Sequence, residues 1–280
     1  MKPNLTNYHS HCDFCDGRAS MERFLQEAVC CGMSAYGVTS HTTFPVAGGS
    51  LQPDTYPLYF AEAARLREAY RRQIEFYVGL EVDYIDERRN PSSDVYRSMP
   101  TDYTIGSVHF VPTDAGGWMS VDGAFDGFRE RLSRFFADDI REVVMRFYEQ
   151  SRKLAACGGF TIYGHPDKIA LNASLYSPDI TNESWYEELI VAHLRRLADA
   201  DFLVEVNTKA WEQHHRLFPS AEWLPLVRKL GLRLVVNSDC HYPERVNSGR
   251  MEALRILRDA GIDTVWELHN GRWGETSICV

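Results

Sequence analysis

The sequence predicts an α/β protein in which a parallel sheet curls into a closed, irregular barrel. Three observations carry the prediction. Seven short apolar runs rich in β-branched or aromatic residues alternate with longer amphipathic segments. The long polar stretches follow those runs rather than precede them, as they do where a barrel places its site at the carboxyl ends of its strands. No repeat, linker or shift of composition divides the 280 residues, so one domain over residues 1–280 is expected.

The expected strands are 4–9, 35–39, 75–82, 103–108, 160–164, 202–206 and 232–237. Between them lie helical patterns. Ser20 is placed to cap a helix carrying Phe24, Leu25, Ala28 and Val29, with Gly32 as its stop. Residues 57–73 and 126–157 read as longer helices, the second ending at Gly158-Gly159. Residues 184–200, 221–230 and 244–260 supply the rest. Seven such alternations give a parallel sheet. The polar stretches 42–56, 83–100 and 112–123 read as loops at strand ends, and the glycines of 112–123 make it the expected lid.

Composition narrows the function. A hydrophobic fraction of 44% and a charged fraction of 25% suit a globular chain with a sizeable core. A net charge of −9 argues against a nucleic-acid partner, which a basic footprint would announce. It leaves room for a small anionic substrate, because a metal cluster overrides the overall field locally. The seven cysteines form no disulfide framework. Cys12 and Cys15 make a C-x-x-C without the context of a redox or zinc site, and read as ordinary thiols. With no apolar leader and no stretch of ~18 apolar residues, no membrane association and a cytoplasmic location are expected. Oligomeric state is not legible.

Chemistry gathers at the strand ends. His9-Ser10-His11 closes the first run, and a period of two turns both imidazoles to one side. Asp16 follows in a turn with Gly17. His41 ends the second run, Glu81 lies in the third, His109 ends the fourth and His165 the fifth; Asp239 and His241 follow the seventh. Six of the ten histidines stand at such ends. Converging on one barrel mouth they would repel one another if charged, a difficulty that metal ions remove. Imidazole and carboxylate without a required thiolate suit zinc, iron or manganese. So many donors exceed one tetrahedral ion, so two or three divalent ions are expected, with Glu81 the natural bridge. Adjacent ions activate water and neutralise a phosphoryl group. His193, His214, His215 and His269 lie outside the set and read as packing or surface residues.

These segments resemble the PHP superfamily, named for its polymerase and histidinol-phosphatase members. The motifs are H9-S-H11, T39-S-H41, G79-L-E81, S107-V-H109, G164-H165-P-D and S238-D239-C-H241. The text around them, notably F14-C-D-G, G79-L-E-V-D-Y, D102-Y-T-I-G-S-V-H and E205-V-N-T, is similar to the stand-alone histidinol-phosphate phosphatases. The resemblance implies a distorted (β/α)7 TIM-like barrel with a trinuclear site. It implies His9, His11, Glu81 and Asp239 on one ion, Glu81, His109 and His165 on a second, and Asp16, His41 and His241 on a third. After E205-V-N-T the family continues with small residues and a basic one, whereas this chain has Lys209-Ala210-Trp211.

The expected reaction is hydrolysis of L-histidinol phosphate, with Asp239 or His241 as the acid for the leaving alkoxide. Lys168, Lys209 and, less directly, Arg245 are the expected phosphate contacts. The alternatives are hydrolysis of another small phosphate ester, and a metal-binding accessory module without activity.

Overall fold

A computed structural model describes residues 4–279. From the amino end the chain forms β1 (Thr6–Asn7), α1 (Met21–Cys30), β2 (Ala35–Val38), α2 (Tyr56–Tyr70), β3 (Glu75–Asp83), α3 (Asp94–Arg97) and β4 (Tyr103–Ser107). It continues through β5 (Phe110–Pro112), β6 (Trp118–Ser120), α4 (Phe125–Phe136), α5 (Ile140–Cys157), β7 (Ile162–Tyr163), α6 (Ile169–Tyr176) and α7 (Ser184–Ala198). Then come β8 (Leu203–Asn207), α8 (Trp211–His214), α9 (Leu224–Leu230), β9 (Leu234–Asn237), α10 (Arg250–Asp259), β10 (Thr264–His269) and β11 (Arg272–Ser277). No helix of the described residues is long and apolar enough to cross a membrane.

Seven strands make one parallel sheet, in the order β1-β2-β3-β4-β7-β8-β9. Each expected run overlaps one of them. The sheet returns on itself where β9 meets β1, through a parallel bridge between Ser10 and Cys240. Here asparagine side chains replace ladder bonds. Asn237 Oδ1 accepts from Tyr8 N at 2.8 Å, and Asn7 Oδ1 accepts from Ser238 N at 2.8 Å. The result is a nearly closed, distorted (β/α)7 barrel.

The amino end of the barrel is apolar. Tyr8, Tyr77, Tyr103, Ile105 and Leu203 fill its interior, and burial of each such side chain contributes about 1.5–3 kcal/mol. The β10–β11 hairpin, which the sequence did not suggest, closes this end. Tyr8 Oη accepts from Leu268 N at 2.9 Å and donates to Leu268 O at 3.1 Å, and the Trp273 ring packs 5.0 Å from that of Tyr8. Gly37 is required in this layer, because a Cβ there would meet the Tyr103 hydroxyl at 2.0 Å. The buried charges of this end, Arg250 and Glu267, pair with each other and with Thr6, and the histidines gather at the carboxyl end.

Three local readings are corrected. Residues 126–157 are two helices, because Ala137 and Asp138 take left-handed φ values of 47° and 67°. Asp139 then caps α5 by accepting from Glu142 N at 3.0 Å, a local bond that competes with helix continuation. The helix expected from 244 begins at Arg250, since Gly249 has φ 65°. The 112–123 stretch is not a free lid. It carries the β5–β6 hairpin, anchored by buried Met119 and Val121, and its exposed residues are 114–117 and 123.

Candidate metal centre

All nine expected donors meet at the carboxyl end of the barrel. Around Glu81 and Asp239, His9 Nε2 lies 3.2 Å from Glu81 Oε2 and 3.7 Å from Asp239 Oδ1; His11 Nε2 lies 3.5 and 3.1 Å from the same atoms. Donors sharing a tetrahedral ion at ~2.0–2.2 Å are separated by roughly 3.3 Å, so these four atoms have the spacing of one coordination shell. On the other side of Glu81, Oε1 lies 3.0 Å from His165 Nε2 and 3.5 Å from His109 Nε2. Asp16 collects the third group, 3.2 Å from His241 Nε2 and 3.8 Å from His41 Nε2.

The donors interleave more than the expected partition. His41 also presents Nδ1 to Glu81 Oε2 at 2.8 Å, and His11 presents Nδ1 to Asp16 at 3.7 Å. The tightest donor clusters are accordingly His11, Asp16, His41 and His241; His9, His11 and Asp239; and His41, Glu81 and His109.

Electrostatics explain why such a cluster needs cations. Burial opposes charge on Glu81, but His9, His41 and His109 outweigh it and hold the carboxyl well below the usual range. Burial likewise opposes charge on Asp239, which Lys209, His9 and Lys168 keep ionised. Burial and the neighbouring His241 and His41 rings push His11 well below its ordinary value. His9 Nε2, His11 Nε2, His41 Nδ1, Glu81 Oε2 and Asp16 Oδ1 are all buried without a hydrogen-bond partner. Each such atom costs about 1–3 kcal/mol if left unsatisfied. Divalent ions satisfy them together, so the donor set fits a metal centre.

The outer support was not foreseen. Glu205, fully buried, accepts from His9 Nδ1 at 2.7 Å and from His165 N at 2.8 Å. Asp83 accepts from His109 N at 2.8 Å and faces its Nδ1 at 3.1 Å. Ser107 Oγ donates to Glu81 at 2.6 Å. Carboxylates on the far nitrogen fix a ligating histidine's tautomer and ring. A signal existed for both. Asp83 stands two residues after Glu81 on one strand, hence on the same face, and Glu205 occupies a strand position like those of the donors. His165 and Asp239 carry φ values of 23° and 47°, strain of the kind that concentrates at functional sites.

The expected phosphate contacts divide. Lys168 is buried, its Nζ 3.2 Å from Asp122 and 3.6 Å from Asp239, with the Phe218 ring 5.3 Å away. Lys209 Nζ lies 3.3 Å from Asp239 and 3.9 Å from Asp122. A cleft of about 450 Å³ opens beside them, lined by Asp16, Lys209, Asp239 and His241 and also by Arg18 and Tyr242. Arg245 lines this cleft, but its guanidinium turns to Glu212 at 3.4 Å. Arg18 and Asp122 were not singled out from sequence, since an isolated charge in a loop gives no periodic signal.

The chain is similar to known proteins in sequence and in fold. Over 96% of its length the chain is 26% identical to a probable histidinol-phosphatase of Schizosaccharomyces pombe, of which 91% is covered. It is 24% identical over 95% of its length to a probable histidinol-phosphatase of Deinococcus radiodurans, 97% of which is covered. In fold it is similar to a putative histidinol phosphatase of Listeria monocytogenes, with a TM-score of 0.77, 18% identity and coverage of 88% and 99% of the two chains. It is also similar in fold to the histidinol phosphate phosphatase of Lactococcus lactis, solved with zinc, L-histidinol and phosphate, with a TM-score of 0.70, 20% identity and coverage of 97% and 99%. The PHP domain family matches residues 7–209, well over half the sequence, and the chain belongs to that family.

Proposed function

We propose that the chain is a metal-dependent phosphomonoesterase that hydrolyses L-histidinol phosphate to L-histidinol and inorganic phosphate. What supports the chemistry is the row of buried, unpartnered donors beside Lys168 and Lys209. What supports the substrate is the pair of relatives named histidinol-phosphatases, matched over nearly their full lengths. In this reading one domain, residues 1–280, carries out a step of histidine biosynthesis in the cytoplasm on a small soluble ester.

Two or three ions of zinc, iron or manganese, held by His9, His11, Asp16, His41, Glu81, His109, His165, Asp239 and His241, would activate water and neutralise the phosphoryl group. Glu205 and Asp83 orient two of those histidines before substrate arrives. Lys168 and Lys209 hold phosphate oxygens, and Phe218 beneath Lys168 keeps water from one side of the ammonium. Asp239, held ionised by its neighbours, is a poor acid. His241, the other expected donor, lines the cleft and faces Asp16 through Nε2, but burial and Lys209 lower its pKa as well, so the geometry favours neither as the acid.

Elemental analysis of the purified protein, combined with turnover of histidinol phosphate beside a panel of phosphomonoesters, tests the reading. Bound divalent metal and a clear preference for histidinol phosphate are expected, and His109→Ala should lose both turnover and metal. Equal or better turnover of another ester would overturn the substrate; full metal loading with no turnover would overturn the activity.

A further inference from the structure

Asp122 belongs to none of the donor clusters and, unlike Glu205 and Asp83, pairs with none of the histidines among the described residues. It follows β6 and stands at the mouth of the barrel, 30% exposed, between two ammonium groups: Lys168 Nζ at 3.2 Å and Lys209 Nζ at 3.9 Å. Its backbone is fixed. Arg131 donates to its carbonyl oxygen at 2.7 Å, its own amide donates to Ser120 Oγ at 3.3 Å, and Asn172 Nδ2 donates to the preceding Val121 carbonyl at 2.9 Å. The residues that follow it, Gly123 and Ala124, line the cleft that Lys209 and His241 also line. The carboxylate is therefore held at the edge of the space where a substrate's phosphate would lie.

This placement is a liability for a plain phosphate ester. A dianion drawn between Lys168 and Lys209 comes against the negative charge of Asp122, and like charges at such range repel strongly in a partly buried site. Asp239, the other carboxylate beside these lysines, belongs to a donor cluster, and the two cations with the one remaining anion are instead the complement of a zwitterion. We propose that Asp122 receives a cationic ammonium group of the substrate, and is the residue by which the site selects an amino-alcohol phosphate over a phosphate ester without an amine. The proposal rests on the functional reading above. In histidinol phosphate the ammonium is borne by the carbon next to the one carrying the ester oxygen, so an ammonium beside Asp122 follows from a phosphate beside the lysines. On binding, the lysines exchange their carboxylate for phosphate oxygens, and Asp122 exchanges them for the substrate's ammonium. Every charge keeps a partner.

The test compares two esters on the metal-loaded enzyme: L-histidinol phosphate and imidazolylpropyl phosphate, which keeps the ring and the ester but lacks the amine. The wild type should prefer the amine-bearing ester. Asp122→Asn should lower kcat/KM on it by about tenfold or more, chiefly through KM, as for loss of a charged hydrogen bond, and should lose much less on the amine-free ester. Asp122→Glu should recover part of the preference. Because the preference is a ratio read on one preparation, a smaller folded fraction cancels from it. Equal losses on both esters would mean that Asp122 only holds the lysines, and would overturn the inference alone. A wild-type enzyme that turns over the amine-free ester but not histidinol phosphate would overturn the functional reading and this inference with it.

Discussion

Glu205 Oε1 lies 2.7 Å from Nδ1 of His9, and neither side chain is exposed to solvent. The pairing leaves His9 Nε2 aimed at Glu81 and Asp239 with no hydrogen-bond partner of its own. One carboxylate thus decides which nitrogen of His9 faces the donors. Burial opposes charge on Glu205 itself, but His9 and His165 keep its carboxyl below the ordinary value.

Glu205→Gln keeps the shape and removes the charge. It should weaken metal binding by about 10–100-fold, the usual loss when a partner of a ligating histidine is removed. Competition with a chromogenic chelator measures this, and unchanged metal affinity would show that His9 needs no such support.

Gly164 precedes His165, and a Cβ there would sit 2.5 Å from Ser107 Oγ. Ser107 in turn holds Glu81 at 2.6 Å. Gly164→Ala should destabilise the fold by about 1–3 kcal/mol, as overpacking does, and should lower metal content by moving Glu81. Denaturant unfolding and elemental analysis read the two effects separately. A variant with wild-type stability would mean that the barrel mouth yields more easily than its packing suggests.

Removing metal should lower thermal stability. The donors that ions would satisfy are buried and unpartnered, and a ligand that binds only the folded state stabilises it by about 2.7 kcal/mol at a hundredfold excess over Kd. A melting temperature that falls with chelator and recovers on adding back zinc, iron or manganese is the expected outcome, and the most effective ion identifies the metal the site prefers. A melting temperature indifferent to chelator would count against a metal centre in this cluster.

His193 gives a pH dependence independent of the metal centre. It is buried in α7, with neither ring nitrogen hydrogen-bonded and its ring 5.7 and 5.2 Å from those of Tyr148 and Tyr163. Burial, helped by Arg196, lowers its pKa to about 3. The unfolded chain binds a proton near 6.5 while the folded one does not, so stability is full above that pH and declines as pH falls toward 3. At pH 5 the loss is about 2 kcal/mol. Urea midpoints at pH 7 and pH 5 should therefore draw closer together in His193→Leu than in the wild type, and an unchanged gap would refute this reading.

Much of the site could be read from the chain because its donors are tied to strand ends. His9 and Glu81 lie in short apolar runs and His41, His109 and His165 follow others within two residues, and a run of that kind fixes both the direction and the depth of the residues at its end. Period two put His9 and His11 on one face. Spacing does not say how donors divide when they meet. His11 and His41 each turn two nitrogens toward different carboxylates, and only the curvature of the closed sheet determines that. Asp122 came within reach of Lys168 through a hairpin whose burial no local pattern announced. The split of α4 from α5 was hidden as well, since a cap at Asp139 outweighs helix propensity only once both helices have packed.

The sequence by itself determined that strands and helices alternate, that the histidines would gather at one end and that metal chemistry would follow, because those properties depend on residue type and local period. The tertiary structure alone decided which carboxylate orients which histidine, which atoms are left unpartnered and what stands between the lysines. Those relations join residues as far apart in the chain as His9 and Glu205, and they form only when the sheet closes and excludes water from both.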